Sequence, residues 1–196
     1  MGSDFTSSLR PAIVMTILFA LLLGFAYPLL VLGVGQGLFS SQANGSLVRD
    51  GDRIVGSTVI GQAFTSDRYF QTRPSAAGKG YDGLSSSGSN YGPTSRALVD
   101  RVEGDLARAR DAGIGGPVPA DLVTASGSGL DPDLSPAAAL AQVARVARAR
   151  RLSEAEVRAL VNRAVAPPLL GFLGEERVNV FALNRQLDAL GAKPGR

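Results

Sequence analysis

The chain contains no histidine and no cysteine. The two absences exclude Ser-His-Asp and Cys-His nucleophile systems, an imidazole switch near neutral pH, and zinc sites of the usual Cys/His kind. They also exclude a disulfide, so cysteine usage says nothing about compartment. Lysine is almost missing as well: Lys79 and Lys193 are the only two among 20 basic residues. Arginine in such excess fits a GC-rich coding sequence better than a phosphate-binding surface. A net charge of +3 is mild, and no basic stripe with interleaved aromatics accompanies it, so nucleic acid is not an expected partner.

What the chain does have is one long uncharged run. No charged residue lies between Arg10 and Arg49, and 11–39 is apolar almost throughout, with Gln36 its only strongly polar side chain. About 20 apolar residues cross a bilayer core, so this segment reads as a single membrane span with room to tilt. A cleaved leader is the competing reading, with Ser41-Gln42-Ala43 as its cleavage site, but leader cores run only about 7–15 residues. Arg10 close to one end of the span favours a cytoplasmic N-terminus and an exported remainder. Ala20 and Gly24, then Gly33 and Gly37, have the small-xxx-small spacing that lets a second helix approach closely. Pro28 lacks an N–H and is expected to kink the helix or loosen one turn.

The expected organisation is a short tail over 1–10, the span over 11–39, and one mixed α+β domain over 40–196, mostly helical in its C-terminal half. Ile54 to Phe64 reads as a strand or two broken by glycine. Residues 75–95 are rich in Gly and Ser, yet hold Tyr81, Tyr91 and Pro93, which favours an ordered surface loop over a linker. Ser95 opens a helix with Leu98, Val102, Leu106 and Ala109 on its inward stripe and Arg101, Asp105 and Arg108 off it, ended by Gly113 to Gly116. Ser135-Pro136 opens a second helix that carries Leu140, Val143, Ala144 and Ala147 inward and ends at Arg148, Arg150 and Arg151. Ser153 with Glu156 forms a capping box for a third, stopped by Pro167-Pro168. Val178 to Leu190 reads as a C-terminal helix or strand–helix pair.

Few constellations carry chemistry. Gly78-Lys79-Gly80 lacks the Ser/Thr and the first glycine of a phosphate loop. Lys79 among many serines allows a Ser–Lys dyad, which would make the chain a membrane-anchored exported hydrolase, but a base lysine needs apolar cover that a Gly/Ser loop does not give. Asp121, Asp131 and Asp133 are too sparse for a calcium loop, and Asp131-Pro132 reads as a turn before the Ser135 cap. Val118 to Pro132 is the densest local signal. Its backbone N–H groups and hydroxyls ahead of a helix could bind an anion, or the stretch could be a capped loop packing on a partner. A third possibility is a free binding module released by cleavage after Ala43.

A set of short motifs runs along the chain in order: Tyr27-Pro28-Leu29, Gly61-Gln62-Ala63-Phe64, Tyr69 to Ala76, Ser86 to Pro93, Asp121 to Pro132, Gln142 to Ala147 and Arg177-Val178-Asn179-Val180. Taken together, they resemble the C subunit of the Kdp-type potassium-transporting ATPase of bacteria. One departure is Asp133, where the family usually has histidine. The resemblance implies a non-catalytic accessory subunit in the bacterial inner membrane, with its C-terminal domain extracytoplasmic. It implies three partners within the bilayer: a potassium-selecting channel-like subunit, a P-type ATPase subunit and a small single-span peptide. ATP and potassium would be handled by the complex, with no cofactor bound tightly here. It further implies a catalytic-chaperone role that raises the ATP affinity of the pump subunit, with Gln142 and the stretch Ser126-Gly127-Ser128-Gly129 helping to hold nucleotide. Gln142 adjoins Val143 on a helix whose neighbours pack inward, so a structural amide is an equal reading of that residue.

Overall fold

The computed structural model describes residues 2–191, with side chains from residue 7 onward. It divides into two units, Met1–Leu47 and Val48–Arg196.

The first unit is a helix that runs from α1 (Gly2–Leu21) through a wider turn into α2 (Tyr27–Leu38), followed by the short α3 (Ser40–Ala43). Ser7–Leu38, 32 residues, is apolar enough to cross a membrane, and none of it is buried within the chain. Pro28 acts where its geometry dictates. Residues Leu22–Ala26 open into a π-turn in which the Tyr27 N–H reaches back to Leu22 O. A regular helix would put the Pro28 ring against the carbonyl four residues earlier, and one inserted residue relieves that conflict, a common origin of π-bulges. Pro28 thus loosens a turn, one of the two outcomes its sequence context predicts. A Cβ added at Gly24, Gly33 or Gly37 would meet nothing within 4 Å, so each position leaves room for a close neighbour.

In the second unit, β1 (Leu47–Asp50) and β2 (Arg53–Ser57) form a two-stranded sheet joined at Gly51, whose φ of +58° suits a residue without a Cβ. The strand expected over Ile54 to Phe64 stops at Ser57, because Gly61 turns the backbone onto the 130–131 segment, donating to Leu130 O at 2.7 Å. A Cβ at Gly61 would lie 2.5 Å from Asp131 O.

Helix α4 (Arg96–Asp111) begins after Ser95 as the sequence predicts. Its buried face differs from the expected stripe: Asp105 is 4% exposed. The carboxylate is held between Arg101 and Arg108 of its own helix, which neutralise it where a bare charge would be expelled. A short 3-10 turn (Ala120–Leu122) leads to β3 (Asp133–Leu134) and α5 (Pro136–Ala141), with the Ser135 hydroxyl accepting from Ala138 N. The single helix expected from Ser135 to Arg151 is two. Gln142, at φ −90° and ψ −7°, separates α5 from α6 (Val143–Arg150), its N–H turning to Ala139 and Leu140 oxygens in a tightened turn. The capping box at Ser153 forms and starts α7 (Glu154–Ala164). Strands β4 (Val165–Ala166) and β5 (Arg177–Asn179) follow, then α8 (Val180–Gly191).

The three-stranded sheet is antiparallel in the order β3-β5-β4, with Leu134 and Val165 both opposite Val178. Helix α7 packs on α5, α6 and α8. The core comprises Leu134, Val143, Val146, Val157, Val161, Val178, Val180, Leu183 and Leu187, into which Phe70 is inserted from an irregular segment. Each such side chain contributes about 1.5–3 kcal/mol when fully buried.

Candidate functional site

Residues 67–73 cross the helical face without joining a strand, so their backbone groups need other partners. Side chains supply them. Asn184 of α8 takes both polar groups of Phe70, accepting from its N–H at 2.8 Å and donating to its carbonyl at 2.9 Å. Gln142 does the same for Gln71, at 2.8 and 3.0 Å. Arg145 donates to the carbonyls of Asp67 and Tyr69 at 2.9 and 3.1 Å, and Arg150 to that of Arg68 at 2.6 Å. Tyr81 donates to the Arg73 carbonyl. Arg150 also pairs with Asp188 at 2.7 Å and lies 4.7 Å over the Tyr69 ring, whose hydroxyl bonds the same carboxylate.

This lattice leaves Gln142 fully used. Its Oε1 also accepts from Arg145 Nη2 at 2.6 Å, and its Nε2 also donates to Ala138 O at 3.3 Å. The residue is 2% exposed. Burial lowers the pKa of Arg145, with the Asp67 carboxylate opposing that shift. Burial likewise raises the Tyr81 phenol, against its hydrogen bond with Thr72.

A cavity of about 220 Å³ lies beside the lattice, lined among others by Gln71, Arg73, Tyr81, Asp105, Gln142 and Arg145. Ser126, Gly127, Ser128 and Gly129 do not line it. They form the opposite wall of the Gly/Ser-rich loop instead. Ser128 O accepts from Ser87 N and from Ser86 Oγ, both at 3.0 Å. Gly129 O accepts from Ser75 Oγ at 2.6 Å, and that hydroxyl accepts in turn from Tyr81 N at 2.8 Å. Gly129 has φ +67°, and a Cβ there would sit 2.6 Å from Ala77 N. Loop 75–95 is therefore tied along the 126–130 segment as an ordered surface loop. The five residues implied to hold nucleotide fall into two places, with Gln142 on the cavity and the other four on the loop seam.

The remaining candidates resolve locally. Lys79 is exposed, without the apolar cover a base lysine needs. Asp131 pairs with Arg73 at 3.1 Å and accepts from Asp133 N, the turn expected at that position, while Asp121 accepts from Ser135 N at 2.6 Å. Among the described residues no acidic cluster could hold a metal ion. Asp133 accepts from Asn179 Nδ2 at 3.1 Å and pairs with Arg177 at 3.3 Å. Burial raises its pKa, and Asp131 adds to the rise, while Asn179 and Arg177 oppose it.

Sequence reasoning missed Arg145, Arg150 and Asn184. Asn184 carried a signal, since it falls among Val180, Leu183 and Leu187 on the buried face of α8, where a lone amide implies a buried polar partner.

The comparisons with known proteins agree with one another. The family model KdpC, described as the c chain of the K+-transporting ATPase, matches residues 9–189. A potassium-transporting ATPase KdpC subunit of Caulobacter vibrioides is 57% identical over 184 residues, 93% of each chain. One of Allorhizobium ampelinum is 55% identical over 187 residues, 95% of this chain and 98% of its own. One of Gemmatimonas aurantiaca is 55% identical, covering 94% of each. The chain belongs to the KdpC family, the C subunits of the potassium-transporting ATPase.

Proposed function

From this membership we propose that the chain is a non-catalytic accessory subunit that assembles and stabilises a potassium-import complex from within the membrane. Its partners are a potassium-selecting subunit, a P-type ATPase subunit and a small single-span peptide of the same complex. The observation that supports this best is the helix Ser7–Leu38, an apolar stretch of 32 residues none of which is buried within its own chain. Lipid and partner helices are what cover such a surface. Ala20 with Gly24, and Gly33 with Gly37, are two pairs one turn apart where a second helix can approach closely, and an added Cβ at any of the three glycines meets nothing within 4 Å. The N-terminus is cytoplasmic and the second unit extracytoplasmic, on the inner membrane.

The polar lattice around Gln142 supports a structural duty for that amide, because all its hydrogen-bonding groups are engaged inside the domain. An influence on the ATP affinity of the pump subunit is then exerted through subunit contacts rather than through the Gln142 amide. ATP and potassium remain with the partners.

Co-expression of the tagged chain with the other subunits and extraction in mild detergent tests the reading. The P-type ATPase and potassium-selecting subunits are expected to co-purify with it, and their absence refutes the proposal. Gly24→Leu or Gly33→Leu is expected to reduce recovered complex several-fold, as loss of close helix packing would, whereas the exposed change Arg158→Ala leaves it intact. Equal recovery from all three variants refutes a packed span.

A further inference from the structure

Strands β4 and β5 are joined by residues 167–176, and this connection carries apolar side chains outward. Leu169 and Leu173 bond each other across it, N to O at 3.0 and 2.9 Å, which closes a tight hairpin. Its bend is formed by Leu170 at φ +55° and Gly171 at φ +79°. Leucine rarely takes a left-handed backbone, so the hairpin holds an unfavourable conformation whose effect is to present the tip. Leu170 is 75% and Phe172 74% exposed, with Leu169 and Leu173 also on the surface. Four adjacent large apolar side chains on one projection mark an interaction site.

Charge decides among the possible covers. Glu175 and Glu176 follow directly and are exposed, and among the described residues neither is placed in an ion pair, while Arg177 is taken by Asp133. An anionic lipid surface would meet this acidic collar with repulsion. A second copy docking tip to tip would bring two acidic collars together. A partner with an apolar pocket and a basic rim satisfies both parts. The base of the hairpin adds a recess of about 530 Å³ lined by Val59, Pro132, Ala164, Ala166 and Ala182 among others, so the surface offers a knob and a hollow beside it.

We infer that the 169–173 hairpin is a protein-docking knob that inserts into an apolar, basic-rimmed pocket on another subunit of the complex. The inference rests on the assembly reading above and adds to it a location and a chemistry.

The test uses the full chain co-expressed with the other subunits, with Phe172 replaced by a photoreactive benzoylphenylalanine. Illumination is expected to give an adduct between this chain and another subunit of the complex, identified by mass spectrometry. Adducts only between two copies, only to lipid, or to nothing, while the wild-type complex still co-purifies, overturn the docking knob and leave the assembly reading standing. Failure of the wild-type complex to co-purify overturns the assembly reading first. The double variant Glu175→Lys/Glu176→Lys is expected to lower complex recovery roughly tenfold at low salt, through repulsion from a basic rim. Both side chains are exposed, so its melting temperature is expected to match the wild type. Undiminished recovery overturns the basic rim.

Discussion

At the scale of single residues, the chain uses side chains to do what strands usually do. Gln142 and Asn184 each pair both polar backbone groups of one residue. Gln142→Ala would leave the Gln71 N–H and carbonyl and one Arg145 nitrogen without partners in a buried place. The expected loss is on the order of 3 kcal/mol, and the melting temperature of the detergent-solubilised chain falls by roughly 6–12 °C. An unchanged melting temperature with a lost nucleotide response would instead make the amide a ligand contact. The arginine excess gains a meaning here, because Arg145 serves two carbonyls and Gln142 from one guanidinium, which a lysine's compact ammonium cannot copy. Asp133 sets a pH dependence. Its raised pKa means the folded state holds the proton more tightly than the unfolded chain, so its contribution to stability is complete below about pH 3.9 and is lost as pH rises through the folded value. Asp133→Asn is therefore expected to flatten the decline of melting temperature on the alkaline side of the ordinary aspartate range; an identical pH profile would remove Asp133 from that role.

At the scale of elements, the seam between loop 75–95 and the 126–130 segment depends on one residue without a side chain. Gly129 has a positive φ and faces Ala77 N and Ser87 O at distances no Cβ tolerates. Gly129→Ala is expected to destabilise by about 1–3 kcal/mol through backbone strain and to open the loop, which limited proteolysis within residues 82–90 detects as faster cleavage. Cleavage at the wild-type rate would mean the seam does not hold the loop. The helices were largely legible because their signals are local: Ser135-Pro136 and Ser153 with Glu156 each act within one turn. The irregular segment 67–73 was not, because the helix side chains that pair the backbone of residues 67–71 lie 71 to 114 positions away and no periodicity links Gln71 to Gln142 or Phe70 to Asn184. For the hairpin, Pro167-Pro168 reads only as a stop, and the φ of Leu170 has no signature in its residue type.

At the scale of the whole molecule, the absence of native cysteine becomes an experimental asset. Leu84 is almost fully exposed in the second unit, so Leu84→Cys provides a single thiol with no background. A membrane-impermeant maleimide is expected to label it in intact spheroplasts without lysis; labelling only after lysis would reverse the orientation of the span. The side-chain lattice over 67–73 has a further consequence. A segment crossing a domain with unpaired N–H and C=O groups is a template on which foreign chains add as strands, the route by which exposed edges seed aggregation. Here Arg145, Arg150, Gln142, Asn184 and Tyr81 occupy those groups in advance. A subunit waiting for its partners thus keeps one flank closed to strand addition, and the lattice serves as a guard against misassociation.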